Sequence, residues 1–197
     1  MHRESYVVMT LNGEGSTSFI SPASVVTIAV PVIALVFALL YGKILILHYV
    51  HVLTGGTWTG VDLFMGLVMI RVMGGLEPSA RVQFVRRMVP IMLFFMPAIA
   101  FVSITSGIFL AQWEGIFILH SPWIIISGVL VVILTVQGFG IILPNELRIF
   151  FELRKEKPDT QKIIKLGMRN FKIAGSQAIF QCIIIFAMAR LAYGMIF

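Results

Sequence analysis

His48-Tyr-Val-His51-Val-Leu-Thr-Gly55-Gly-Thr-Trp58-Thr-Gly60-Val-Asp62-Leu-Phe-Met-Gly66 lies inside an apolar run long enough to cross a membrane. Read as an α-helix, it places His51, Gly55, Trp58 and Asp62 on one stripe, with His48 one turn above His51. An ionisable group at membrane depth costs roughly 2.5–3.5 kcal/mol, so this stripe should face protein, a cavity or a cofactor rather than lipid. The paired glycines leave room for a flat ligand or a neighbouring helix.

Outward from this stretch the chain stays apolar. Of 197 residues 58% are hydrophobic and only 12% charged, with a mean hydropathy of +0.97. A soluble domain carries about twice that charge fraction. Segments of about 20 apolar residues suffice to cross a bilayer. The expected fold is therefore an all-α integral membrane protein with five transmembrane helices, a four-helix core plus one extra N-terminal helix. The short alternating segments of an outer-membrane barrel are missing. The expected spans cover about 25–40, 44–73, 88–113, 122–143 and 173–193, within a single transmembrane domain over 23–197. Residues 1–22 read as a polar tail and not a signal peptide, because the apolar region starts late and no small-residue cleavage site follows it. Tyr41-Gly42-Lys43 suggests a tight turn, Gly74-Gly75 and Pro78 a break, and Pro144 a kink or helix end.

The net charge of +6 does not point to nucleic acid. Twelve of the 15 Lys and Arg residues lie in two segments, from Arg71 at the end of span two to Arg87 before span three, and between spans four and five. By the positive-inside rule those loops are cytoplasmic, with the amino terminus inside and the carboxyl terminus outside, in the inner membrane of a prokaryote. Ile163, Ile164, Gly167, Met168 and Phe171 share a face opposite Lys162, Lys165, Arg169 and Lys172. That pattern suits either a helix lying on an anionic membrane surface or a soluble extension of a transmembrane helix. Spans two–three and four–five also form a topological repeat of two hairpins.

Three constellations could carry chemistry. His51, His120 and His48 gather toward one end of the predicted bundle and could ligate haem or a metal. Gly55 and Trp58 would lie against the macrocycle, and Arg190 would neutralise a propionate. Met65, Met69 and Met73 on span two and Met88, Met92 and Met96 on span three form i, i+4, i+8 ladders of soft thioethers suited to Cu(I). Asp62 is a candidate proton relay or charge partner. Cys182 stands alone, which excludes an internal disulfide. No P-loop, dinucleotide fingerprint, HExxH or nucleophile elbow is present.

The pattern His51-(six residues)-Trp58-Thr-Gly60 resembles the leading motif of the CopD-like membrane proteins, named for copper resistance. It is also similar to the opening helix of HemJ-type protoporphyrinogen oxidases and of cytochrome-linked urate oxidases. Leu76-Glu-Pro78-Ser-Ala-Arg81, Arg86-Arg87 and Thr105-Ser-Gly107-Ile-Phe-Leu-Ala111 extend the resemblance, over about residues 44–195. It implies a four-helix bundle binding b-type haem with His51 as an axial ligand. The resulting expectation is a haem-b protein that passes electrons within a larger respiratory or oxidative membrane complex or a homo-oligomer, not a stand-alone enzyme. Copper transport or tolerance is the alternative. A structural subunit of a membrane complex is the second alternative.

Overall fold

In the computed structural model, residues 22–193 are described, and they are helical almost throughout. The polar tail expected over residues 1–22 lies, but for Pro22, outside them. Helix α1 covers Pro22–Tyr41 and is followed by α2, Ile44–Gly75; α3, Pro78–Trp113; α4, Pro122–Glu152; and α5, Thr160–Ala192. The last four are long and apolar enough to cross a membrane, and α1 is a shorter apolar helix. At 1.5 Å per residue, their 31 to 36 residues span roughly 46–54 Å against a hydrocarbon core of about 30 Å, so each projects beyond it. This is a multi-pass membrane protein with a helical bundle associated with lipid.

Local chemistry sets the turns. Gly42, at φ +68°, closes α1 in the left-handed conformation that glycine adopts without penalty, and Gly115, at φ +70°, does the same after α3. Two helix bounds depart from the sequence expectation. Helix α3 starts at Pro78, ten residues before the expected Met88, because proline is well placed in the first turn of a helix. Pro144 does not end α4. Its ring would clash with the carbonyl four residues back, at Gly140, and the helix is already widened into a π turn over Gly138–Ile142. A second π turn, Phe64–Met69, interrupts α2, so each hairpin of the bundle opens on a helix with such a turn.

Helix α5 runs unbroken from Thr160, which settles the amphipathic segment as an extension of the last span. Ile163 and Phe171 are buried against α2, α3 and α4, while Lys162, Lys165, Arg169 and Lys172 are exposed. This apolar cluster fills the basic end of the bundle with Met69, Met73, Val85, Val89 and Ile149. Trp58, Ile99, Ala100 and Leu134 fill the middle. At the other end Leu35 and Ala38 of α1 pack on Leu47, Val50, Val102 and Leu110 of α2 and α3, so α1 is an outer addition to the four-helix core. Many of the large apolar side chains, among them Leu45, Val132, Ile179 and Phe186, stay exposed, as a lipid-facing surface requires.

A candidate cation cavity between two buried carboxyls

The stripe on α2 faces protein along its whole length, but each residue meets a different neighbour. His51 Nδ1 lies 2.9 Å from the Ser103 carbonyl oxygen and 3.3 Å from Ser106 Oγ. The carbonyl can only accept, so Nδ1 carries the proton and Nε2 keeps its lone pair. The ring rests on Gly107, where a Cβ would come within 2.7 Å of it. Gly55 brings α2 against α3, since a Cβ there would meet Ser103 Oγ at 3.2 Å. Trp58 is buried in the middle cluster. Asp62 is 2% exposed, and Gln181 Nε2 of α5 donates to its Oδ2 at 2.8 Å.

The histidines do not form one cluster. His48 is half exposed, with Nδ1 3.7 Å from Glu114 Oε1, and His120 lies exposed in the α3–α4 loop. Among the described residues no three His, Cys, Asp or Glu side chains gather to hold a metal. Arg190 spreads its guanidinium over the Trp123 ring, 5.3 Å from its centre. Gly55 and Arg190 are thus taken up in packing, whereas Trp58 is hydrogen-bonded to Asp62 and borders the cavity of the bundle. A porphyrin does not fit the Gly55 face, which Ser103 covers, whereas the tautomer of His51 suits an imidazole ligand.

The cavity of the bundle lies deeper, among α2, α3, α4 and α5. It has a volume of about 80 Å³, room for several waters, since one needs roughly 10–15 Å³. Its walls are mainly apolar, but they hold four thioethers, from Met65, Met88, Met92 and Met96, and the carboxyls of Asp62 and Glu146. Among the described residues no Lys, Arg or His lines it. Both π turns border it, through Met65 on α2 and through Gly138, Phe139 and Ile142 on α4. Such turns recur at functional sites, where a widened backbone re-aims side chains.

Amides from α5 hold the α4 side of the cavity in place. Gln177 Nε2 donates to the Leu134 carbonyl at 3.0 Å, and Asn170 Nδ2 to the Ile142 carbonyl at 3.2 Å. Asn145 Nδ2 in turn donates to Asn170 Oδ1 at 2.9 Å. These bonds bracket the π turn and supply extra donors to carbonyls at its edges, where lipid can offer none.

Four of the six methionines of the two ladders therefore reach the cavity. Met69 and Met73 do not, because the π turn shifts the register after Met65 and turns them into the apolar core. Glu146 escaped the sequence reading because Pro144 suggested a helix end and placed it among loop charges. The polar series Asn170, Gln177 and Gln181, spaced at i, i+7 and i+11 on the last span, is the signal that could have located this side of the cavity. No known protein family, curated protein or solved structure matches the chain.

Proposed function

We propose that the protein holds a soft monovalent cation, Cu(I), inside the bundle, as a membrane protein of copper transport or tolerance. The observation that carries this reading is a single cavity lined by four thioethers and two carboxyls and by no basic side chain. Thioethers favour Cu(I) over harder ions, and a carboxylate supplies the countercharge that lipid and apolar side chains cannot. The basic turns at one end favour an inner-membrane protein with those turns in the cytoplasm. The test is anaerobic competition for Cu(I) between the detergent-purified protein and a colorimetric chelator. We expect one tightly held ion, and at least tenfold weaker retention in Met92→Leu/Met96→Leu, which conserves volume while removing both sulfurs. Equal retention by the variant and the native protein overturns the reading.

A second reading rests on His51. Its Nδ1–H is committed to the Ser103 carbonyl, an arrangement common among metal-ligating imidazoles. On this reading His51, with His48 or His120 as the other histidine at that end, holds haem b, and the protein passes electrons as a subunit of a larger membrane complex. It requires the α2–α3 seam to open at Gly55. Reduced-minus-oxidised spectra after haem supplementation test it, and no b-type bands in the native protein rules it out.

A further inference from the structure

Polar atoms without partners gather where α4 begins and α5 ends, at the end of the bundle opposite the basic turns. Among the described residues, Arg190 Nε, Trp123 Nε1 and the hydroxyls of Ser121 and Ser127 are buried and hydrogen-bonded to nothing. Ser121 is 2% and Ser127 5% exposed. Ser121 is the N-cap residue of α4, yet its side chain leaves the first N–H groups of that helix uncapped. The outer part of α4, Pro122–Gln137, packs on α5, so buried Ser127, one turn below Trp123, faces the helix that carries Arg190. Among the described residues no carboxylate pairs with Arg190. Its guanidinium and the Trp123 indole can only donate, and the guanidinium is always charged. What this corner lacks is an anionic acceptor.

Below the corner an apolar groove runs along the seam of α2 and α5 on the lipid-facing surface. Its volume of about 520 Å³ falls within the roughly 300–1,000 Å³ usual for ligand sites. Helix α5 lines it with Gly175, Ile179, Ile183 and Phe186, and α2 with Leu63 and Leu67. Arg190 continues the same stripe of α5, one turn beyond Phe186. Phe186 joins groove and corner, since its ring also meets Trp123 edge to face, with 6.1 Å between centres. From Gly175 to Phe186 the helix rises roughly 16 Å, close to one leaflet of a hydrocarbon core of about 30 Å. Exposed Trp113 and Tyr193 at the same end mark the headgroup level.

We infer that the corner and the groove together bind one phospholipid of the leaflet away from the basic turns. Arg190, the Trp123 indole and the Ser127 hydroxyl take its phosphate, and the groove takes an acyl chain. A free phosphate would leave the groove empty, and an unspecific coat of lipid needs no buried guanidinium. This inference is independent of the cation reading, whose cavity is lined by other residues of α5.

Native mass spectrometry of the full-length protein, released from detergent after thorough delipidation, tests this with three probes. These are phosphatidylglycerol, a diacylglycerol with the same chains, and inorganic phosphate. Native protein should retain one phosphatidylglycerol and neither of the other two. Arg190→Gln should retain it at least tenfold less. Ile179→Trp fills the groove from an exposed position far from the phosphate donors, and it should also lose the lipid. Val132→Trp, equally exposed on α4 but outside the groove, should keep it. Should Arg190→Gln fail to fold, the contrast between Ile179→Trp and Val132→Trp decides the matter. Several lipids held without stoichiometry, equal retention of the diacylglycerol, equal retention in Ile179→Trp and Val132→Trp, or undiminished retention in a folded Arg190→Gln overturns the inference. Binding of inorganic phosphate without the lipid overturns it too, in favour of a free anion.

Discussion

Gln181 Nε2 donates to Asp62 Oδ2 at 2.8 Å and so ties α5 to α2 across the middle of the bundle, with both side chains buried. Removing the donor strands a buried acceptor. Gln181→Leu should therefore destabilise the protein by about 1–3 kcal/mol, seen as a lower Tm in detergent. The double variant Asp62→Leu/Gln181→Leu should lose less than the sum of the two single losses, because the second change removes the group left stranded by the first. Additive losses would show that the pair does not act as a unit.

Gly66 and Gly175 meet backbone to backbone where α2 crosses α5. A Cβ on Gly66 would fall within the Gly175 backbone, 2.6 Å from its N, whereas a Cβ on Gly175 would lie 3.2 Å from Gly66 Cα. Gly66→Ala should push the helices apart and cost more than the roughly 1–3 kcal/mol usual for overpacking, and Gly175→Ala less. Gly56→Ala, with nothing within 4 Å of the added carbon, is the control and should leave the Tm unchanged or raise it slightly. Equal effects at positions 56 and 66 would refute the close crossing.

His51 and Gly107 should behave as a lock and its recess. A methyl at position 107 comes within 2.7 Å of the imidazole and must displace it from the Ser103 carbonyl. Gly107→Ala should lower the Tm. Adding His51→Ala should restore part of the loss, because the vacated ring space accommodates the methyl. No recovery in the double variant would mean that α3 itself, and not the ring, resists the substitution.

Beyond the membrane at the basic end, Glu152 closes the α4–α5 turn. Its Oε2 accepts from Lys162 Nζ at 2.6 Å and Lys155 Nζ at 3.0 Å, and these bonds hold its carboxyl down from 4.5 to about 2. Its folded value is depressed, so its stabilisation is fully present above about pH 4.5 and is lost as pH falls toward 2. Glu152→Gln should therefore lower the Tm at neutral pH, and the gap to the native protein should close on acidification through that window. The gap should also narrow in high salt, because both lysines are partly exposed. A gap independent of pH would assign the effect of the variant to packing.

Much of this architecture is legible from hydropathy and loop charge alone. Four long spans, a shorter first helix and the turn at Gly42 follow from run length and one left-handed position. The stripe from His51 to Asp62 was also legible as protein-facing, since it lies on unbroken α-helix where a period of 3.6 holds. Past Leu63 that period fails. A wheel drawn through Phe64–Met69 groups Met65 with Met69 and Met73, but the π turn parts them, and nothing in the local composition announces it. The same kind of turn before Pro144 carried α4 on to Glu152, so Glu146 belonged to the bundle and not to the loop. Partners such as Gln181, 119 residues from Asp62, lie beyond any periodicity argument.

The π turns also change what a deletion means in this chain. Removing one residue from a regular helix rotates everything beyond it by about 100° and exposes its buried face. A π turn already holds one residue more than the α-helix it interrupts. Deleting exposed Leu67 or Phe139 should let the backbone relax into ordinary α-helix while Ile70–Gly75 or Leu143–Glu152 keep their present orientation. The bundle therefore carries two spare residues, one in each of the helices that open its hairpins, and both lie beside its cavity. Trimming them would preserve the fold while narrowing the space inside, so that the scaffold and its occupancy could be altered separately.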